Sequence, residues 1–305
     1  MNIIANIPQV TRAASIDSRM SGRIWNDGGK YRTLGNIGHG TQALTRQQLM
    51  QCAPSIFADA AHSRTSQRYS FLPTASILDG MEAEGWVPTL VQEQNVRDES
   101  REGFQKHMIR FAHRDDLQLA STDRPEIVLI NAHDRSSAYQ LHCGIFRTYC
   151  LNGLVVCDAT FARRSIIHTG FDPSKVIEAS VEIVREIPQL MNGISEMKAL
   201  SLTDGERQVF AEAAALARWE DLAAAPVRAN KLLTLKRSED AKPTLWNTFN
   251  TVQENLIKGG QKDFGKRKAD GSRMPRTRAV KGIDGNIGLN KALWHLAEQM
   301  KALKA

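Results

Sequence analysis

The spacing of apolar residues changes character about halfway along the chain. Between residues 68 and 143 apolar and polar positions alternate in short runs, whereas from residue 174 onwards they recur every three or four residues. Alternation marks a strand with one buried face, and recurrence near 3.6 marks an amphipathic helix. In the first region Arg68–Leu72 reads as a short strand closed by Pro73. Thr74 then caps a helix over 75–84, with Ile77, Leu78 and Met81 on one side, and Gly85 stops it. Trp86, Pro88, Leu90 and Gln92 alternate with Thr89, Val91 and Glu93. Over 104–113, His107, Ile109 and Phe111 oppose Lys106, Met108 and Arg110. Residues 126–131 and 138–143 supply two further strands. Short polar turns between these strands predict an antiparallel sheet.

The later pattern is helical. Residues 174–187 place Val176, Ile177, Val181, Val184 and Ile187 along one helix. Thr203 and Glu206 form a capping box for a helix running to Trp219. Leu245, Phe249, Val252 and Leu256 mark another, begun near Pro243 and ended by Gly259-Gly260, and residues 289–303 form the last. Upstream, Gly35–Gly40 precedes a helix over 44–52 with Thr45 and Gln48 placed as its capping box. The expected fold is α+β: an antiparallel sheet with packed helices in the first half and a mostly helical second half. It divides into an N-terminal arm or loop layer (1–40), an α+β core with a helical extension (41–225), and C-terminal helices with a loop that packs back on the core (226–305).

Charge sharpens the picture at one place. Residues 258–281 contain nine Lys and Arg against two Asp, a net +7 that equals the formal charge of the whole chain. Four glycines and a proline in this stretch predict a mobile loop rather than a helix. Such a concentrated positive field suits a polyanion, because each contacted phosphate releases counterions; a merely solubilising loop has the same composition. No apolar run reaches the ~20 residues that cross a bilayer, and the start of the chain lacks a secretion signal, so the expected location is cytoplasmic. Cys143, Cys150 and Cys157 lie seven apart, unlike a zinc knuckle, and read as free thiols. The glycine-rich Gly35–Gly40 lacks the Lys-Ser/Thr of a phosphate loop. No metal or cofactor is called for.

Candidate chemistry gathers at Asn131-Ala132-His133-Asp134-Arg135-Ser136-Ser137, a strand-end loop where functional groups often collect and where the same residue types also make ordinary turns. Arg110 and Arg147 sit in apolar surroundings and must be paired, either with an internal carboxylate such as Asp79 or Glu84 or with an external phosphate. Asn247, Asn250, Gln253 and Glu254 form a polar stripe on the helix before the basic loop, suited to buried hydrogen bonding or to a ligand.

The series Arg68-Tyr69…Pro73-Thr74, Gly85-Trp86-x-Pro88, Arg101-x-Gly103-Phe104-x-Lys106-His107, Gly144-x-Phe146-Arg147, and Leu245-Trp246-Asn247…Gln253-Glu254-Asn255-Leu256…Gly259-Gly260 resembles the domain-of-unknown-function 932 family over about residues 40–300. That resemblance implies a gene of phages, prophages or plasmids and assigns no reaction. The element order is also distantly similar to that of single-strand annealing recombinases, an analogy of fold only. It would give Lys106, Arg110, Arg135 and Arg147 contacts to a DNA backbone, give Tyr69, Phe71 or Trp86 base stacking, and allow a homo-oligomer.

The expected function is therefore DNA binding in recombination or replication, with a preference for single strands. Lys106, Arg110, Arg135, Arg147, Lys258, Lys262, Lys266, Arg267, Lys268, Arg273, Arg276 and Arg278 would make the nucleic-acid contacts. The rival is an enzyme acting on nucleic acid or nucleotide through His107, Asn131, His133, Asp134, Arg147, Glu239 and Glu254. A third class is a protein that engages a host partner.

Overall fold

A computed structural model describes residues 24–26, 31–35, 42–66, 69, 71–118, 123–147, 155–156, 163–166 and 174–304. Its centre is an antiparallel sheet with five substantial strands: β2 (Tyr31–Gly35), β3 (Trp86–Gln94), β4 (His107–His113), β5 (Asp123–Asn131) and β6 (Tyr139–Arg147). Three short pieces extend it, β1 (Trp25–Asn26), β7 (Val155–Val156) and β8 (Arg163–Ile166). The strands follow chain order from β1 to β7, and β8 shares the outer edge of β6 with β7. The helices are α1 (Arg46–Cys52), α2 (Thr74–Ala83), α3 (Ser174–Ala199), α4 (Asp204–Trp219), α5 (Leu245–Lys258) and α6 (Ile283–Lys304). The fold is thus α+β, with a mostly helical second half.

One face of the sheet carries the main core. Leu34, Val91, Ile109, Phe111, Ile127, Leu129, Leu141 and Ile145 meet α2 through Ile77, Leu78 and Met81, and meet the later helices through Ile183, Phe249 and Trp294. The opposite face holds a smaller cluster in which Met108, Val128 and Ile130 pack on Ile283 and Ile287 of α6. The alternation read for β4 holds, since Ile109 and Phe111 enter the first cluster and Met108 the second.

Several expectations need correction. Tyr31–Gly35, within the span read as an arm, is a strand paired along its length with β3. Phe71 and Leu72 lie outside any strand, while Arg68 and Ser70 fall outside the described residues, as do Asn36–Gly40, Cys150 and Cys157. In β3 the register shifts between Pro88 and Leu90, which puts Trp86 and Val91 on one face and Leu90 on the other. A bulge inserts one residue and so reverses the alternation beyond it. Helix α3 does not stop before Pro188 but continues to Ala199. An internal proline costs a helix about 3 kcal/mol, and the burial of Leu190, Ile194 and Met197 beyond it outweighs that cost.

Candidate functional site

Arg32, Glu93, His107 and Asn131 stand directly opposite one another across β2, β3, β4 and β5. They share the face covered by the N-terminus of α2 and by the 3-10 turn Pro54–Phe57. Glu93, His107, Asn131, His133, Ser55 and Thr74 are all fully buried. Thr74 does not cap α2 from outside. It is the first helical residue, and its hydroxyl is the hub of the cluster. Asn131 Nδ2 donates to it at 3.0 Å, and it lies 2.9 Å from His107 Nε2 and 3.3 Å from His133 Nε2.

The donor directions follow from the chemistry. His107 Nδ1 lies 3.2 Å from the Gln105 carbonyl, which can only accept, and 2.8 Å from Ser55 Oγ. Nδ1 therefore carries the proton, and Nε2 accepts from the Thr74 hydroxyl. His133 Nε2 in turn donates to Thr74. At the other end the Ser55 amide donates to Glu93 Oε2 at 2.9 Å, Gln105 Nε2 donates to Oε1 at 3.0 Å, and Arg32 pairs with the same carboxylate. A chain of hydrogen bonds thus links His133, Thr74, His107 and the Ser55 hydroxyl, and the Ser55 amide ties its end to Glu93. Burial, reinforced by the neighbouring His133, holds the His107 pKa down at about 3, so its ring is neutral. Burial raises the Glu93 pKa, against the lowering effect of Ser55 and Arg32.

The seven residues read as catalytic candidates do not converge. Only His107, Asn131 and His133 meet at Thr74. Asp134 follows them, but its carboxylate is held by Arg101 at 2.5 Å and by the Ser136 amide at 2.9 Å. Burial works to raise its pKa, and these hydrogen bonds bring it below the usual value. Arg147 lies opposite Asp123 at the other end of β5 and β6, eight residues or about 27 Å from Asn131. It bonds Asp240 at 2.9 Å beside Asp123, which also takes Lys198. Glu239 is exposed. Glu254 is claimed by Arg237 and by Lys258, and these cations outweigh burial to hold its pKa down. Among the described residues no three His, Cys, Asp or Glu side chains are gathered as a metal site needs, and no helix is long and apolar enough to cross a membrane.

The cations read as backbone contacts separate sharply. Arg110 is buried against Glu126 at 2.5 Å, with Arg124 on the same carboxylate and both guanidiniums over the Phe146 ring. Lys106 is buried and pairs with Asp284 at 2.8 Å. Arg110 and Arg147 are thus held in internal ion pairs, and the Lys106 side chain is buried against an exposed carboxylate. The expected partners Asp79 and Glu84 are wrong for both arginines, since Asp79 takes Arg46. Trp86 is core, set edge-on to His113. Phe71 leans on His133, and the Tyr69 hydroxyl donates to the Ala132 carbonyl. Arg135 is exposed, at a positive φ of 69°.

The polar stripe of α5 is spent on structure as well. Gln253 bonds Asn290, Asn250 donates to the Trp246 carbonyl, and Asn247 donates to those of Glu239 and Lys242; the neighbouring Asn255 donates to the Leu232 and Thr234 carbonyls.

The basic segment differs from all of these. Its backbone is hydrogen-bonded into a hairpin. The Gly260 amide donates to the Thr277 carbonyl at 2.8 Å, Thr277 returns a bond to Gln261 at 3.0 Å, and Val280 bonds Ile257. Gly259 adopts φ +62° with the Arg278 backbone so close that a Cβ would meet it at 2.6 Å, so only glycine fits there. Nearer the tip, Arg267 and Arg273 form a bridge, and Lys268 bonds Ser272 around Gly271. From this scaffold Lys262, Arg267, Lys268, Arg273, Arg276 and Arg278 all project into solvent with no ion pair among the described residues. Lys258 is withdrawn by Glu254, and Lys266 bonds the Leu222 carbonyl.

The sequence pattern that defines the family described as "Domain of unknown function (DUF932)" matches residues 61–294. The chain belongs to the DUF932 family. It is also 39% identical over 258 residues to two proteins of Escherichia coli (strain K12), UPF0380 protein YafZ and UPF0380 protein YfjQ. Each alignment covers 84% of this chain and 91% of the relative. No solved structure matches the chain. The family span includes both the buried His107–Thr74–His133 path and the basic hairpin.

Sequence reasoning singled out the basic segment and the His133 loop. It missed Thr74, Ser55 and Glu93 as parts of one cluster, because their contacts depend on the register of four strands. The one available signal was the alternation that puts His107 on the same face as Ile109.

Proposed function

We propose that this protein binds nucleic acid through the hairpin at 258–281, preferring single strands, and acts in recombination or replication of DNA. The observation that carries this reading is the exposure of six hairpin cations while the sheet's arginines are consumed in internal pairs. The same hairpin carries two acids. Asp263 is buried against Arg228, and Asp270 accepts from the Ser272 amide. Exposed cations on a fixed scaffold release counterions from phosphates without a large ordering cost.

Replacing Lys262, Arg267, Lys268 and Arg273 by Gln tests this. For a single strand, loss of four phosphate contacts flattens the slope of log affinity against log salt by about 3. An unchanged slope would remove the hairpin from the interface.

A second reading rests on the hydrogen-bonded chain from His133 through Thr74 and His107 to the Ser55 hydroxyl, which has the form of a proton relay. It favours an enzyme with His133 as the reacting end. His133 is fully buried, so this reading needs an opening beside Phe71. Loss of a nucleotide- or nucleic-acid-directed activity in His133→Ala, with folding retained, would support it.

A further inference from the structure

We infer that Phe264 is the residue through which the hairpin selects unpaired bases. This inference rests on the nucleic-acid reading above. Phe264 is 72% exposed, more than any other large aromatic side chain among the described residues. Its neighbours explain why it stays outside. The buried carboxylate of Asp263 accepts from Arg228 Nε at 2.7 Å, from Arg228 Nη2 at 2.8 Å, from the Arg228 amide at 3.1 Å and from the Gly265 amide at 3.0 Å. These bonds hold the turn on both sides of Phe264, and those from Arg228 above all keep the Asp263 pKa far below the usual carboxylate value. A Cβ on Gly265 would lie 2.6 Å from the Arg228 guanidinium, so a side chain there would push that group off Asp263. An ion pair between a buried carboxylate and a half-exposed arginine thus holds the turn that presents the phenyl ring to water.

A single exposed apolar side chain is ordinary on a protein surface; what marks this ring is the set of cations beside it. Lys262 Nζ lies 5.5 Å from the ring centroid, and Arg267, Lys268 and Arg273 extend along the same hairpin. A π face set beside a track of cations is the arrangement that takes a base on the ring and the flanking phosphates on the ammonium and guanidinium groups. Duplex bases are already stacked on one another, so a lone phenyl gains contact only with an unpaired base. An anionic membrane would also attract the cations, but a single phenyl ring buries little apolar surface in a bilayer interface, and a helical amphipathic face is missing from this hairpin.

The test measures binding of a labelled single-stranded oligonucleotide, its blunt duplex, and phosphatidylserine-containing vesicles. Wild type, Phe264→Ala, Phe264→Trp and the four-residue Gln variant are compared, with melting temperatures as a check on folding. Phe264→Ala is expected to weaken single-strand binding roughly 5- to 150-fold, the equivalent of the ~1–3 kcal/mol of one base–aromatic stack. Duplex affinity and salt slope should be unchanged, and Phe264→Trp should restore the preference. If Phe264→Ala binds the single strand like wild type while the Gln variant does not, the stacking role is overturned and the hairpin reading survives. Wild type that binds neither nucleic acid overturns both. Capture of vesicles that depends on Phe264, without discrimination between the two nucleic acids, assigns the ring to a membrane surface and overturns the inference.

Discussion

Arg110 and Arg273 are the same side chain in two settings. Arg110 lies on β4 between the Glu126 carboxylate and the Phe146 ring, shielded from water, and Arg273 stands on the hairpin facing solvent with no ion pair among the described residues. The wider regions repeat this contrast. Around Thr74 and along β5 and β6, polar groups are held by neighbours from distant parts of the chain, whereas on the hairpin the backbone is held and the cationic side chains are left outside. Charge that is already paired inside contributes to which structure forms. Charge that is presented on a pinned scaffold remains available to a ligand. The comparison also explains why the sheet does not offer the DNA-backbone contacts that an analogy of element order assigned to Lys106, Arg110 and Arg147.

The contrast breaks most visibly at Glu126. Glu126→Ala leaves Arg110 and Arg124 buried without their shared anion, so urea unfolding should show a loss of about 3–5 kcal/mol. Thr74→Val keeps the side-chain shape but strands the polar atoms of His107, His133 and Asn131. The same assay should show a loss of about 1–3 kcal/mol.

Acid sharpens the same point. An unfolded chain protonates His107 near pH 6.5, but the folded ring resists until about 3. Between these values the unfolded state binds more protons, so this contribution to stability is complete above 6.5 and is lost as pH falls toward 3. The slope approaches about 1.4 kcal/mol per pH unit, and His107→Gln should remove it from a stability–pH profile. Glu93, whose pKa is raised in the folded state, acts in the opposite sense and partly masks the effect. Smallest of all, replacing Arg267 and Lys268 by Gln should alter stability by no more than about 0.5 kcal/mol, since both are exposed. A large drop in melting temperature there would place the hairpin among the structural regions.

Much of the fold is visible in local sequence signals. The capping boxes at Thr45 and Thr203 form as their spacing predicts, and Gly85 and Gly259 end α2 and α5. What local signals miss depends on distant contacts. The bulge at Pro88–Leu90 is set by pairing with β4, and Pro188 is tolerated because residues beyond it find a core. Thr74 has the sequence profile of a cap, and only its approach to β4 and β5 makes it a hub. The candidate interface was legible as charge, but the bonds that tie its backbone were not. The bond from Arg228 to Asp263 joins residues thirty-five apart and converts an apparently loose glycine-rich segment into a scaffold.

The central claim is that ligand contact belongs to the hairpin and that the inner polar cluster is structural. Photocrosslinking a halogenated single-stranded oligonucleotide to the full chain, with the attached peptides located by mass spectrometry, addresses both halves at once. The account predicts crosslinks within residues 262–278, centred on Phe264, and none in the peptide bearing His133 and Arg135. Crosslinks confined to that His133 peptide, with the hairpin untouched, would contradict it.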